Sequence, residues 1–210
     1  LNTPVYLSGL TPAARLSGRK MLFDCDRVWF LTWTLYGRWL PGDPRGFVGT
    51  VRERRPGDRN GPRERHNQLQ TEYDRAMPGL RRSARQSMTE PPARLNSALA
   101  SVLRTQFAET AEVRDWRLFA GAIMADHVHL LVGVCGDPDP SMLMRDFKSY
   151  GSRALNRLHR RRWWTQSGST RKKSDRRAVL AAARYTRDQR DALEVRLDGE
   201  IALALAKFDS

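Results

Sequence analysis

Ala125-Asp126-His127-Val128-His129-Leu130-Leu131-Val132 is the stretch that most limits how this chain can fold. Side chains alternate between the two faces of a strand. His127 and His129 therefore share a face with Leu131 and Gly133, while Val128, Leu130, Val132 and Val134 form the other, core-seeking face. Residues 116–124, Trp116 to Met124, read as a second strand. Only Ala125 and Asp126 separate the two, so they must form an antiparallel hairpin. Two imidazoles about 7 Å apart along one strand face can grip a single divalent ion. They can equally be two satisfied histidines on a half-buried strand.

The elements on either side extend the pattern. Arg27-Val-Trp-Phe-Leu-Thr-Trp-Thr-Leu-Tyr36 is aromatic and β-branched and predicts a strand, with Phe30, Thr32, Thr34 and Tyr36 on one face. A helix is predicted from Thr89, with Pro91 and Pro92 in its first turn and Leu95, Leu99, Leu103 and Phe107 at helical spacing. Asp139 followed by Pro140 predicts an N-cap and a helix whose buried stripe runs through Leu143, Phe147, Tyr150, Ala154 and Leu158. Trp163 to Ser169 is a candidate fourth strand, and Ser174 a candidate cap for a helix over 175–190. Residues 191–210 read as a connection and a short amphipathic helix. The order β-α-β-β-α-β, then α, predicts an α+β fold. It is a ferredoxin-like split βαβ sandwich, an antiparallel sheet with helices on one face, plus a late helix carrying Tyr185.

Three regions are expected: an N-terminal leader at 1–26, with Met21 an alternative start; one domain at 27–190; and a C-terminal tail or helix at 191–210. Within the domain, residues 38–88 form an insertion rich in Arg, Gly, Pro and Asn, with short helical pieces at 67–76 and 79–87. It suits either phosphate contacts or a solvated surface loop.

Charge narrows the partner. The 37 Lys and Arg against 23 Asp and Glu give a net +14, the footprint of a nucleic-acid binder. Cys25 and Cys135 are far apart in sequence and in no C-x-x-C pattern, which argues against a zinc ribbon or a disulfide framework. No run approaches the ~18 apolar residues of a membrane span. A cytoplasmic, DNA-associated setting without membrane contact is the expectation.

Tyr185 and Gln189 stand four residues apart and should share a helix face. A phenolic oxygen can attack phosphorus, and an amide oxygen can ligate a hard cation. Ala181, Ala182 and Ala183 before them would let the helix approach a sheet or a DNA backbone closely. Taken with His127-Val128-His129, this arrangement resembles the single-tyrosine transposases of the HUH endonuclease superfamily, the IS200-like and REP-associated tyrosine transposases. Phe147-Lys-Ser-Tyr-Gly-Ser-Arg-Ala-Leu-Asn156 and Tyr36-Gly-Arg-Trp-Leu-Pro-Gly-Asp-Pro-Arg-Gly46 are similar to segments of that family.

The resemblance implies a metal-dependent endonuclease and strand transferase acting on single-stranded or hairpin DNA. His127, His129 and Gln189 would hold one Mg²⁺ or Mn²⁺, the latter better suited to imidazole. Tyr185 would form a 5′-phosphotyrosine intermediate. A homodimer is among the arrangements the family uses. A domesticated protein that binds DNA hairpins without cutting them is the alternative.

Asp126 is a candidate for supporting a histidine, or for shaping the turn. Lys148, Arg153 and Arg145 are candidate DNA contacts. Tyr150 competes as nucleophile but falls on a buried stripe. Trp163 and Trp164 suit base stacking or core packing. Histidine-triad hydrolases need a third alternate histidine, and Leu131 stands there.

Overall fold

The computed structural model describes residues 23–44, 49–52, 63–66, 77–166 and 168–209. The expected leader (apart from its last residues, 23–26), the alternative start and the helical piece at 67–76 lie outside them. In chain order the elements are β1 (Arg27–Thr34), β2 (Gly49–Arg52), β3 (Arg63–His66), α1 (Pro78–Gln86), α2 (Ser97–Val113), β4 (Arg117–Met124), β5 (His127–Val134), α3 (Pro140–Asn156), β6 (Ser169–Lys173), α4 (Arg176–Arg187), β7 (Ala192–Leu197) and α5 (Gly199–Phe208).

Five strands form one sheet in the order β6-β1-β5-β4-β7, each neighbour antiparallel. The first four reproduce the split βαβ arrangement. β2 and β3 pair separately within the insertion. β7 is a strand where a plain connection was expected; it pairs with β4 with a register shift beside Met124, so Leu193 packs against one core and Leu197 against the other, while Val195 is exposed.

Both faces of the sheet are covered, by different helices. Leu31, Trp33, Val128 and Leu130 meet Leu103 and Phe107 of α2 and Leu143 and Phe147 of α3 in one core. Val28, Phe119 and Leu131 meet Val179 and Ala183 of α4 and Ile201 and Leu205 of α5 in the other. The late helix therefore lies on the histidine side. Ala182 and Ala183 are buried there, so the small residues serve close approach to the sheet.

Three boundaries move for identifiable reasons. α2 starts at Ser97, capped by the Asn96 side chain, which accepts from Leu99 N at 2.9 Å. Residues 89–93 instead hold Tyr36: Thr89 N donates to its hydroxyl at 3.1 Å, and Ala93 N to its carbonyl at 2.8 Å. Pro91 and Pro92 suit that non-helical path, having no N–H to contribute. Trp163 to Ser169 is not the fourth strand. Trp164 makes an isolated bridge to Leu35, and β6 begins where the segment ends. Both indoles are buried and hydrogen-bonded, Trp163 to Asn156 Oδ1 and Trp164 to Lys148 O, which is core packing rather than base stacking. α4 is capped by Asp175 rather than Ser174 and ends at Arg187, so Gln189 lies beyond the helix.

Candidate functional site

The hairpin turn is pinned from below. Leu35 N donates to Asp126 O at 2.8 Å and Leu95 N to Ala125 O at 2.9 Å, so β5 leaves the turn in one register. That register sets Thr34 opposite His127 and Thr32 opposite His129. Directly opposed residues share a face and reach each other. Thr32 Oγ1 accordingly lies 2.8 Å from His129 Nδ1, while His127 Nδ1 lies 2.6 Å from Asp126 Oδ1. Each imidazole is held through Nδ1, one by a hydroxyl and one by a carboxylate.

His129 is 5% exposed, and its Nε2 is buried without a hydrogen-bond partner among the described residues. Burial, and then the neighbouring His127, push its imidazole down to about 4. It is neutral at physiological pH, the state in which an imidazole offers a lone pair. In the tautomer that donates Nδ1–H to Thr32 Oγ1, that lone pair sits on Nε2.

Tyr185 arrives from α4 to complete the group. Its ring centroid is 5.3 Å from that of His129, and the two histidine rings are 4.9 Å apart. Phe30 stacks on His129 at 5.3 Å and meets Tyr185 edge-on at 6.0 Å. Tyr185 is still 53% exposed, so its hydroxyl-bearing ring is open to a large substrate. The end of α4 is fastened to the end of α5 by Arg184 and Arg187, which reach Asp209 at 3.4 and 2.8 Å. Gln189 follows only through its backbone link: Nε2 donates to Tyr185 O at 3.0 Å, which leaves Oε1 as the amide's acceptor. Among the described residues no cluster of three His, Cys, Asp or Glu could hold a metal ion. Any ion on the two imidazoles would need an amide or substrate oxygen as well.

The three cations expected to touch DNA sit elsewhere. They are on α3, which packs on the opposite face of the sheet from His127 and His129. Lys148 Nζ donates to the carbonyls of Thr165 and Gln166 at 2.7 and 3.1 Å, and burial pushes its ammonium down to about 8. Arg145 bonds Asp146 at 3.3 Å, and Arg153 lies over the Tyr150 ring at 5.2 Å. Tyr150, on the same helix, is remote from the histidines. Phe30 and Thr32 are site residues that strand periodicity placed on one face without assigning them a role. Only register could have paired them with His129.

Residues 92–171 match the family described as Transposase IS200 like. That span holds both histidines and stops before Tyr185 and Gln189. A solved structure of a REP-associated tyrosine transposase bound to a REP hairpin resembles the chain at 12% identity and a TM-score of 0.44, over 76% of this chain and 64% of that one. The chain thus spans less than two thirds of that protein's length. No curated protein matches. No helix among the described residues is long and apolar enough to cross a membrane.

Proposed function

We propose, starting from the match of residues 92–171 to the IS200-like transposase family, that the chain cuts and rejoins single-stranded DNA through Tyr185. The observation that carries this reading is the buried, unpartnered Nε2 of His129 beside the exposed Tyr185 ring. A buried polar atom without a partner costs about 1–3 kcal/mol, and a neutral imidazole, unlike an indole, can recover that cost by offering its lone pair to an electrophile.

The donor types, two imidazoles and an amide oxygen, suit a divalent ion. His127 and His129 would contribute imidazole nitrogens and Gln189 its Oε1, with Asp126 and Thr32 orienting the two rings. Mg²⁺ or Mn²⁺ bound there would draw charge from a scissile phosphate. Tyr185 Oη attacks the phosphorus, and the bond from phosphorus to the 3′ oxygen breaks. The tyrosyl proton passes to solvent, and the departing 3′ oxygen leaves as a hydroxyl. The 5′-phosphotyrosine keeps the energy of the broken ester, so attack by another 3′-OH rejoins DNA.

The test is a covalent-adduct assay. Full-length protein and Tyr185→Phe are incubated with 3′-labelled single-stranded DNA from the gene's flanks, with Mn²⁺ or EDTA. A Mn²⁺-dependent band of protein-linked DNA, lost in Tyr185→Phe, is the expected result. The variant keeps the ring contacts and should melt within ~2 °C of wild type. An adduct that survives in Tyr185→Phe overturns the assignment. Tight binding without any adduct favours a protein that holds DNA without cutting it.

A further inference from the structure

The cations of α3 are engaged on the wrong face, which raises the question of what holds the substrate's phosphates. β6 forms one edge of the sheet, next to β1. Its register places Ser169 opposite Thr32, Arg171 opposite Phe30 and Lys173 opposite Val28. Those three β6 residues therefore share the histidine face. Arg171 is exposed, and Lys173 Nζ stands 5.4 Å from the Phe30 ring, the same ring that stacks on His129 and touches Tyr185. Two strand spacings, about 10 Å, separate β6 from the histidine strand.

Neither cation has a carboxylate partner among the described residues. Burial, and then the neighbouring Arg171, push the Lys173 ammonium down, so the two charges crowd each other. The opposite edge differs. β7 carries both signs, and Glu194 there pairs with Arg104 at 3.3 Å. Edge strands carry charge to resist pairing with other chains. Mixed charge does that at β7, whereas all the charge at β6 is positive.

We infer that Arg171 and Lys173 form a phosphate-holding flank of the histidine face, along which a single DNA strand is laid as it crosses from the β6 edge to Tyr185. This rests on the proposed function and names residues of that same site. Arg171 supplies a forked donor to a phosphate, and Lys173 a second point charge one strand pleat away.

The experiment measures fluorescence anisotropy of a labelled 20-nucleotide single strand, with full-length protein, across a salt series. Arg171→Gln/Lys173→Gln is compared with Arg145→Gln/Arg153→Gln, which removes the same two charges from α3. Each lost phosphate contact should lower the salt slope by about 0.7 for single-stranded DNA. The β6 pair is expected to lower it by about 1.4 and to weaken binding roughly tenfold, against less than about twofold for the α3 pair. Equal losses, or a larger loss from α3, overturn the inference. Arg171→Gln alone, at an exposed site, keeps the test decisive if the double variant is misfolded by circular dichroism; its expected slope change is about 0.7. Wild type that binds no single-stranded DNA removes the site reading and this inference together. Wild type that binds and forms the Tyr185 adduct, with the β6 pair unchanged in binding, removes this inference alone.

Discussion

The two faces of the sheet are built from the same strands and finished differently. Under α2 and α3 the β5 residues Val128, Leu130 and Val132 are sealed among aliphatic and aromatic side chains. Under α4 and α5 only the far end is sealed, at Leu131, Phe119 and Ile201; the near end holds His127, His129 and the exposed Tyr185. Buried nitrogens without partners occur on both sides. Trp29 and Trp33 leave indole N–H groups unpaired on the α2/α3 side, and His129 leaves Nε2 unpaired on the other. An indole nitrogen can only donate, whereas a neutral imidazole also offers a lone pair. One face is thus a packed core with minor defects, and the other contains an orphan that an electrophile can satisfy.

The largest test of this contrast exchanges neighbours on β5. His129→Ala should abolish the DNA adduct, a loss of at least about a hundredfold. Leu130→Ala should destabilise by about 2–5 kcal/mol in urea melts, because it opens a cavity, while adduct yield per folded molecule stays near wild type. Comparable loss of adduct in both variants would erase the division of labour between the faces.

Next in size is the response to pH. His129 is held near 4 in the folded chain against about 6.5 unfolded. Between those values the unfolded chain binds more protons, so stability present above about 6.5 is lost as pH falls toward 4. For metal-free protein the loss is on the order of 3 kcal/mol, and His129→Ala should flatten that part of the profile. A denaturation midpoint unchanged between pH 6.5 and 4.5 would contradict a buried neutral imidazole.

The smallest effect concerns Thr32. Removing its hydroxyl with Thr32→Val should weaken Mn²⁺ binding about tenfold by titration calorimetry, and Thr32→Ser should restore most of it. In metal-free wild type, ¹⁵N shifts of the imidazole should report Nδ1–H at His129, and Thr32→Val should lose that preference. A Thr32→Val protein with wild-type affinity and tautomer would reduce Thr32 to a packing residue.

How much of this was legible beforehand depended on how local each signal was. The hairpin around Ala125 and Asp126, the face shared by His127 and His129, and the Asp139-Pro140 helix start all come from spacing within a few residues, and each appears as read. β7 was read as a connection; its alternating Leu193, Val195 and Leu197 do not end on one buried face, since a register shift beside Met124 sends Leu193 and Leu197 to opposite cores. The helix expected at Thr89 was lost to a distant residue, since Tyr36 binds the backbone that would have entered it.

The sequence by itself determined which side chains could share a face, because periods of two and 3.6 are properties of the backbone alone. Only the tertiary structure decided which faces meet. Register paired Thr32 with His129 rather than with a neighbour one residue along. The path of α4 brought Tyr185 onto the histidine side, and the path of α3 took Lys148 away from it to close on the carbonyls of Thr165 and Gln166. A lysine and a tyrosine look equally available in a string of letters. Which is spent on folding and which is left exposed beside the histidines depends on packing between segments far apart in the chain, and no local pattern encodes that.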